Sequence, residues 1–156
     1  MGSTLALQGD RGEGPAIRSR AELRELLDRT LQAVDSDDFA GPLLRGVGLS
    51  VRFEIPNLDL VLNVAPSVDP DHHLRWEFAD DRSFDPKLEL TMDSEVANAY
   101  LQGRESLAIG IARRHVRFDG RANAALLYVP ALRLVCEHYR RIVNASHPDR
   151  AAAAGR

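Results

Sequence analysis

The sequence predicts an α+β domain: a five-stranded, mostly antiparallel sheet with helices on one face. Three observations lead there. Apolar residues recur at helical spacing from Ser19 to about Val34 and again from about Asn123 to Val143, and between these stretches short segments alternate apolar and polar with period two. Each alternating segment is polar on one side only, which leaves one sheet face for helices and the other for water. A chain of 156 residues has room for one such domain, which encloses roughly two thirds of its unfolded surface.

Residues 1–18, with Gly9, Gly12, Gly14 and Pro15 among scattered charges, have neither period and read as a flexible leader. The domain is expected over 19–143. Ser19 and Glu22 have capping-box spacing, and Leu23, Leu26, Leu27, Leu31 and Val34 make one apolar stripe. Asp35, Asp37 and Asp38, followed by Gly41-Pro42, are expected to end this N-terminal helix. From Val47 to Ile55 the period is two, with Ser50, Arg52 and Glu54 facing away from the apolar side. Pro56-Asn57 turns the chain into a second strand carrying Leu58, Leu60, Leu62 and Val64. A third strand carries Leu74, Trp76 and Phe78, and a fourth Leu88, Leu90 and Met92. Asp93 has the character of an N-cap for a short helix closed by Gly103, and Ser106 opens another. Val116 and Phe118 mark a fifth strand that breaks at Asp119-Gly120. The last helix contains Pro130, which is expected to kink it or divide it. Residues 144–156 read as a flexible tail.

Composition excludes several functions. The formal net charge of -3 argues against a dedicated nucleic-acid binder, which relies on Lys and Arg to neutralise phosphates. The sequence has neither a membrane-spanning apolar run nor a secretory signal, so a cytoplasmic location is expected. The single cysteine, Cys136, cannot pair within the chain and reads as a buried structural residue. His72 and His73 are neighbours on an extended segment, so their side chains diverge and no metal site is expected. Gly48-Leu49-Ser50 lacks the closing glycine of a nucleophile elbow. For acid-base chemistry only Tyr100, Tyr128, Tyr139 and His138 lie on helices that could face inward. The expectation is no enzyme and no cofactor. Arg113, Arg114, His115, Arg117 and Arg121 form one basic cluster. It could attract anionic headgroups, but cross-strand pairing with Glu54, Asp59, Glu77 and Glu89 is the plainer expectation.

In place of a catalytic group the sequence supplies inward apolar surface. Phe53, Leu62, Trp76, Phe78, Leu90, Leu101, Ile109, Leu126, Leu132 and Val135 have inward phase and would line any space between sheet and helices. By pattern alone, a solid core fits the same residues.

From about Ala21 to Val143 the chain resembles the sterol carrier protein 2 (SCP2-type) family. The likeness rests on element order and on two stretches. One is Leu88-Glu-Leu-Thr-Met-Asp-Ser-Glu95, followed by Tyr100-Leu101-Gln102-Gly103. The other is Ile109 through Gly120. The resemblance implies a hydrophobic tunnel taking sterols, fatty acids or acyl-CoA without catalytic residues. A homodimer and transient membrane contact are the further associations it admits. It also admits a second role, an interaction or dimerisation module beside an enzyme of lipid or quinone metabolism. The family's Gly-Lys before the last strand is replaced by Ala112-Arg113-Arg114, and the C-terminal Ala154-Gly155-Arg156 departs from the peroxisomal tripeptide of eukaryotic carriers, as expected of a bacterial cytoplasmic protein.

Overall fold

A computed structural model describes residues 19–146. The expected leader and residues 147–156 of the expected tail lie outside the described residues. The elements run α1 (Arg20–Ser36), α2 (Ala40–Gly46), β1 (Val51–Ile55), a 3-10 turn (Pro56–Leu58), β2 (Leu60–Pro66), β3 (Leu74–Glu77), β4 (Leu88–Met92), α3 (Ser94–Leu101), α4 (Leu107–Ala112), β5 (Val116–Gly120) and α5 (Ala122–Ser146). The five strands form one sheet in the order β3-β2-β1-β4-β5. All pairs are antiparallel except β1 with β4, where the chain crosses over.

Register carries the inward phase across the whole sheet. Leu62, Phe53, Leu90 and Phe118 stand side by side on β2, β1, β4 and β5, and Trp76, Val64, Val51, Leu88 and Gly120 form the neighbouring row. The apolar face packs against Leu23, Leu26, Leu27, Leu31 and Val34 of α1 and against Leu132, Val135 and Tyr139 of α5 in one core. Gly120 ends its row because nothing larger fits. A Cβ there would lie 2.6 Å from the carbonyl oxygen of Lys87, and its φ is +150°.

Ser19 caps α1 as expected, its Oγ accepting from the N–H of Glu22 at 3.0 Å. The acidic stretch after it does more than end a helix, because the chain starts α2 only three residues later. Asp37 Oδ1 accepts from the N–H groups of Phe39 and Ala40, both at 2.8 Å, and so supplies the start of α2. Pro42 lies in the first turn, where its missing N–H is no loss, so Gly41-Pro42 opens a helix instead of closing one. Gly41 is needed there because a Cβ would meet the His73 ring at 2.6 Å. The first strand is correspondingly shorter than expected and begins at Val51.

Two further expectations are corrected. Asp93 makes no side-chain cap of α3; Asn57, from the turn after β1, accepts from the N–H of Ser94 at 2.9 Å and donates to its hydroxyl. The final helix, expected to end near Val143, runs as one element with Pro130 inside it to Ser146, whose Oγ accepts from Arg29 Nη1 at 2.8 Å.

The far side of the sheet is not simply open to water either. Arg52, expected to face solvent, is 5% exposed. Its Nε donates to Asn63 Oδ1 at 3.0 Å and its Nη1 pairs with Glu89 Oε2 at 3.2 Å. Its Nη2 donates to the carbonyls of Asp81 and Phe84 at 2.7 and 3.1 Å. Asn63 in turn donates to the carbonyl of Ala79 at 3.0 Å. The loop between β3 and β4 is thus tied down over the centre of the outer face, and each nitrogen of the buried guanidinium has a partner.

Candidate functional site

Between the sheet and its covering helices lies a cavity of about 30 Å³ whose lining is wholly apolar. Leu27 and Leu31 close it from α1, Ala97, Tyr100 and Leu101 from α3, and Leu132 and Val135 from α5, while Phe53, Ile55, Leu62, Val64 and Met92 form its floor. Leu49, in the segment leading into β1, completes the wall. The floor exists because β1, β2 and β4 present the same phase to the helices. The roof exists because α1 and α5 cross above that face with apolar residues at three- and four-residue intervals.

Five of the ten residues expected on such a wall are there: Phe53, Leu62, Leu101, Leu132 and Val135. Leu90 is fully buried in the core but does not reach the cavity. Trp76 and Phe78 lie to one side, under α1: the Trp76 indole donates to Asp28 Oδ1 at 2.9 Å, and the Arg24 guanidinium stands 4.8 Å from the centre of the Phe78 ring. Ile109 and Leu126 do not face inward, being 47% and 77% exposed. Helix α4 and the start of α5 carry apolar residues on more than one side, so spacing alone does not choose the buried one. The remaining floor residues, Ile55, Val64 and Met92, are legible from the same alternation that identifies Leu62.

The cavity holds no reacting group. Tyr100 is the one hydroxyl-bearing residue on its wall, and its side chain is hydrogen-bonded with the Cys136 thiol, with burial pushing the phenol pKa far above its usual range. Burial likewise pushes the Cys136 thiol up to about 11, which keeps it protonated and unreactive at neutral pH. Tyr139 donates to Asn98 Oδ1 at 3.0 Å, and Tyr128 to the carbonyl of Gly48 at 2.6 Å. His138 Nε2 lies 3.0 Å from Asp37 Oδ2, at the start of α2. The four groups weighed for acid-base chemistry are thus each engaged with a different partner. Among the described residues no group of three or more His, Cys, Asp or Glu is placed to hold a metal ion.

A second, open groove of about 600 Å³ lies where α5 begins, lined by Lys87, Arg121, Asp85, Asp119, Leu127 and Tyr128 among others. The basic cluster near it is not neutralised as expected. Glu89 pairs with Arg52, and Glu54 lies 3.5 Å from Arg82, so these carboxylates serve the loop over the outer face. Of the cluster, His115 alone has an acidic neighbour in an ion pair among the described residues, Glu105 at 3.7 Å.

No protein-family model matches the chain, and no curated protein does. Solved structures do match. The sterol carrier protein 2 crystal structure superposes with a TM-score of 0.55 at 9% identity, over 74% of this chain and 94% of that one. The conserved hypothetical protein TT1886 of Thermus thermophilus gives 0.55 at 11% identity, over 83% and 93%. The UbiJ-SCP2 ubiquinone synthesis protein gives 0.50 at 17% identity, over 74% and 93%. The inverting sec-alkylsulfatase Pisa1 of Pseudomonas sp. also matches with a TM-score of 0.50 at 10% identity, but this chain spans only 15% of its length. At such identities the likeness is one of fold. Element order, the parallel β1–β4 crossover and the long final helix agree with it: the chain has the SCP2-type fold.

Proposed function

We propose that the chain is a non-catalytic lipid-binding domain that takes a sterol, a fatty acid or another acyl chain between its sheet and its helices. The observation that carries this reading is the wholly apolar lining of the inter-layer cavity. Each methylene moved from water into such surroundings contributes about 0.8 kcal/mol, so a chain of several carbons binds without any hydrogen bond. The cavity of about 30 Å³ is far below the roughly 150 Å³ that admits a benzene ring. Uptake therefore requires the helical roof to part from the floor, with the guest replacing contacts that the leucines now make with one another.

The test has two arms. Native mass spectrometry of protein purified from cells should find a retained lipid, and a fluorescent fatty acid should be displaced by unlabelled competitor. Leu132→Ala widens the cavity at a cost of about 2–5 kcal/mol in stability, part of which an apolar guest should restore as a raised melting temperature. A protein that neither retains lipid nor binds the probe, with a variant no guest stabilises, would overturn the reading.

The tightness of the cavity and the fold shared with a ubiquinone synthesis protein favour a second reading, an accessory or dimerisation module beside an enzyme of lipid or quinone metabolism. A concentration-dependent dimer in sedimentation velocity, together with an empty core, would select it.

A further inference from the structure

We propose that, given the lipid-binding role proposed for the domain, Gln102 at the end of α3 holds the head of the lipid and selects a neutral hydrogen-bond donor, an alcohol in preference to a carboxylate. Asn98, Gln102 and Tyr139 form a polar cluster buried in the helical roof, at 2%, 4% and 0% exposure. Asn98 and Gln102 directly follow the wall residues Ala97 and Leu101, and Tyr139 stands one turn beyond Val135 on α5. Asn98 Oδ1 accepts twice, from the Tyr139 hydroxyl at 3.0 Å and from Gln102 Nε2 at 2.8 Å. That leaves Gln102 Oε1, which is buried and accepts from nothing among the described residues.

An acceptor shut away from water without a donor is costly, and such a group in a folded protein calls for a partner. The backbone under it is fixed. The N–H groups of Gln102, Gly103 and Arg104 donate to the carbonyls of Asn98, Tyr100 and Ala99 at 3.0, 2.9 and 2.8 Å, and Gly103 closes the helix with a φ of +78°. The Nε2 bond to Asn98 holds the carboxamide itself. Hydroxyls elsewhere in the roof are already committed: Thr30 donates to the Leu26 carbonyl at 2.6 Å, and Tyr100 is paired with the Cys136 thiol. Gln102 Oε1 is thus a place beside the cavity where a guest otherwise held by apolar contact gains a directed bond. Its tail, entering as the roof parts from the floor, lies along Ala97 and Leu101 with its head at the seam between α3 and α5. The bond runs one way. An amide oxygen only accepts, so a hydroxyl satisfies it, an ether oxygen leaves it orphaned, and an ionised carboxylate sets lone pairs against lone pairs.

The test is displacement of diphenylhexatriene, a fluorescent hydrocarbon without a headgroup, from the full chain by three guests of one chain length: dodecanol, dodecyl methyl ether and laurate. It is run at mildly alkaline pH, where laurate is ionised. Dodecanol should displace the probe at about tenfold lower concentration than the ether, and laurate should be weaker than the ether. Gln102→Met keeps the length of the side chain and leaves Asn98 Oδ1 its bond from Tyr139. In that variant dodecanol should fall to the level of the ether, while the ether itself is unchanged. Should Gln102→Met fail to fold, the ranking of the three guests on the parent chain decides alone. Dodecanol no better than the ether, laurate ahead of dodecanol, or an alcohol preference that survives in Gln102→Met would each overturn the proposal and leave the lipid-binding reading standing. A probe that does not bind at all removes that reading, and the headgroup site with it.

Discussion

Replacing Arg52 by Met should be among the most damaging single changes on the outer face of the sheet. Methionine keeps much of the aliphatic stem but removes every donor. Asn63 Oδ1 and the carbonyls of Asp81 and Phe84 lose a partner, and Glu89 loses its counter-ion. At about 1 kcal/mol for each neutral acceptor left without a donor, the three cost about 3 kcal/mol. The Glu89 side chain is 26% exposed, so water screens the ion pair and its loss adds at most about 1 kcal/mol. A total of about 3–4 kcal/mol corresponds to a fall of about 10 °C in melting temperature for a domain of this size. Thermal unfolding followed by circular dichroism measures it, and a double-mutant cycle with Glu89→Gln isolates the ion pair, for which a coupling of about 1 kcal/mol is expected. Limited proteolysis should in parallel cut between residues 79 and 87 in the variant and not in the parent. An Arg52→Met protein melting within about 2 °C of the parent would refute the view that this side chain holds the loop to the sheet.

Two further outcomes follow from features away from the cavity. The hydrogen bond and charge of Asp35, 2.7 Å from its ring, raise the His72 pKa above its ordinary 6.5. That contribution is complete below pH 6.5 and is lost as pH rises through the higher folded value, so the melting temperature should decline above pH 6.5, and His72→Gln should flatten the decline. Asp35 moves the other way: desolvation pushes its pKa up, but the His72 hydrogen bond and the N–H groups of Leu74 and His73 outweigh it and hold the carboxyl below 3.8. Its contribution is lost only as pH falls through that lowered value, outside the neutral window. Gly120→Ala should cost about 2 kcal/mol or more in urea unfolding, since it combines a disfavoured φ with a clash on the Lys87 carbonyl, and a change below about 0.5 kcal/mol would contradict the packing described at the end of that row.

The elements readable from the sequence are those whose determinants are local. Ser19 and Glu22 stand three apart, and the leucines of α1 mark their own buried stripe. The alternation survives intact in β4, whereas in β2 the outward Asn63 and Ala65 are buried as well as the inward residues. What escapes the sequence depends on residues far away in the chain. Asn57 caps a helix 37 positions later, Asp35 holds the backbone at His73 and Leu74, and Arg52 is buried only because a loop some thirty residues on folds over it. The candidate site divides in the same way. Leu132 and Val135 sit in a long helix whose phase is unambiguous, whereas Ile109 belongs to six residues with apolar side chains all round, and only the packing of Gly110 on Val116 decides which way it turns.

The crossover between β1 and β4 has a consequence for how the protein is made. Everything from Arg20 to Glu77 builds one contiguous half of the sheet, and everything from Leu88 to Ser146 builds the other. A nascent chain emerging from the ribosome must therefore wait, with the inner border of its first half unzipped, until the second half has been synthesised. During that interval a guanidinium at Arg52, midway along the waiting border, makes it a poor template for stray strands from neighbouring molecules.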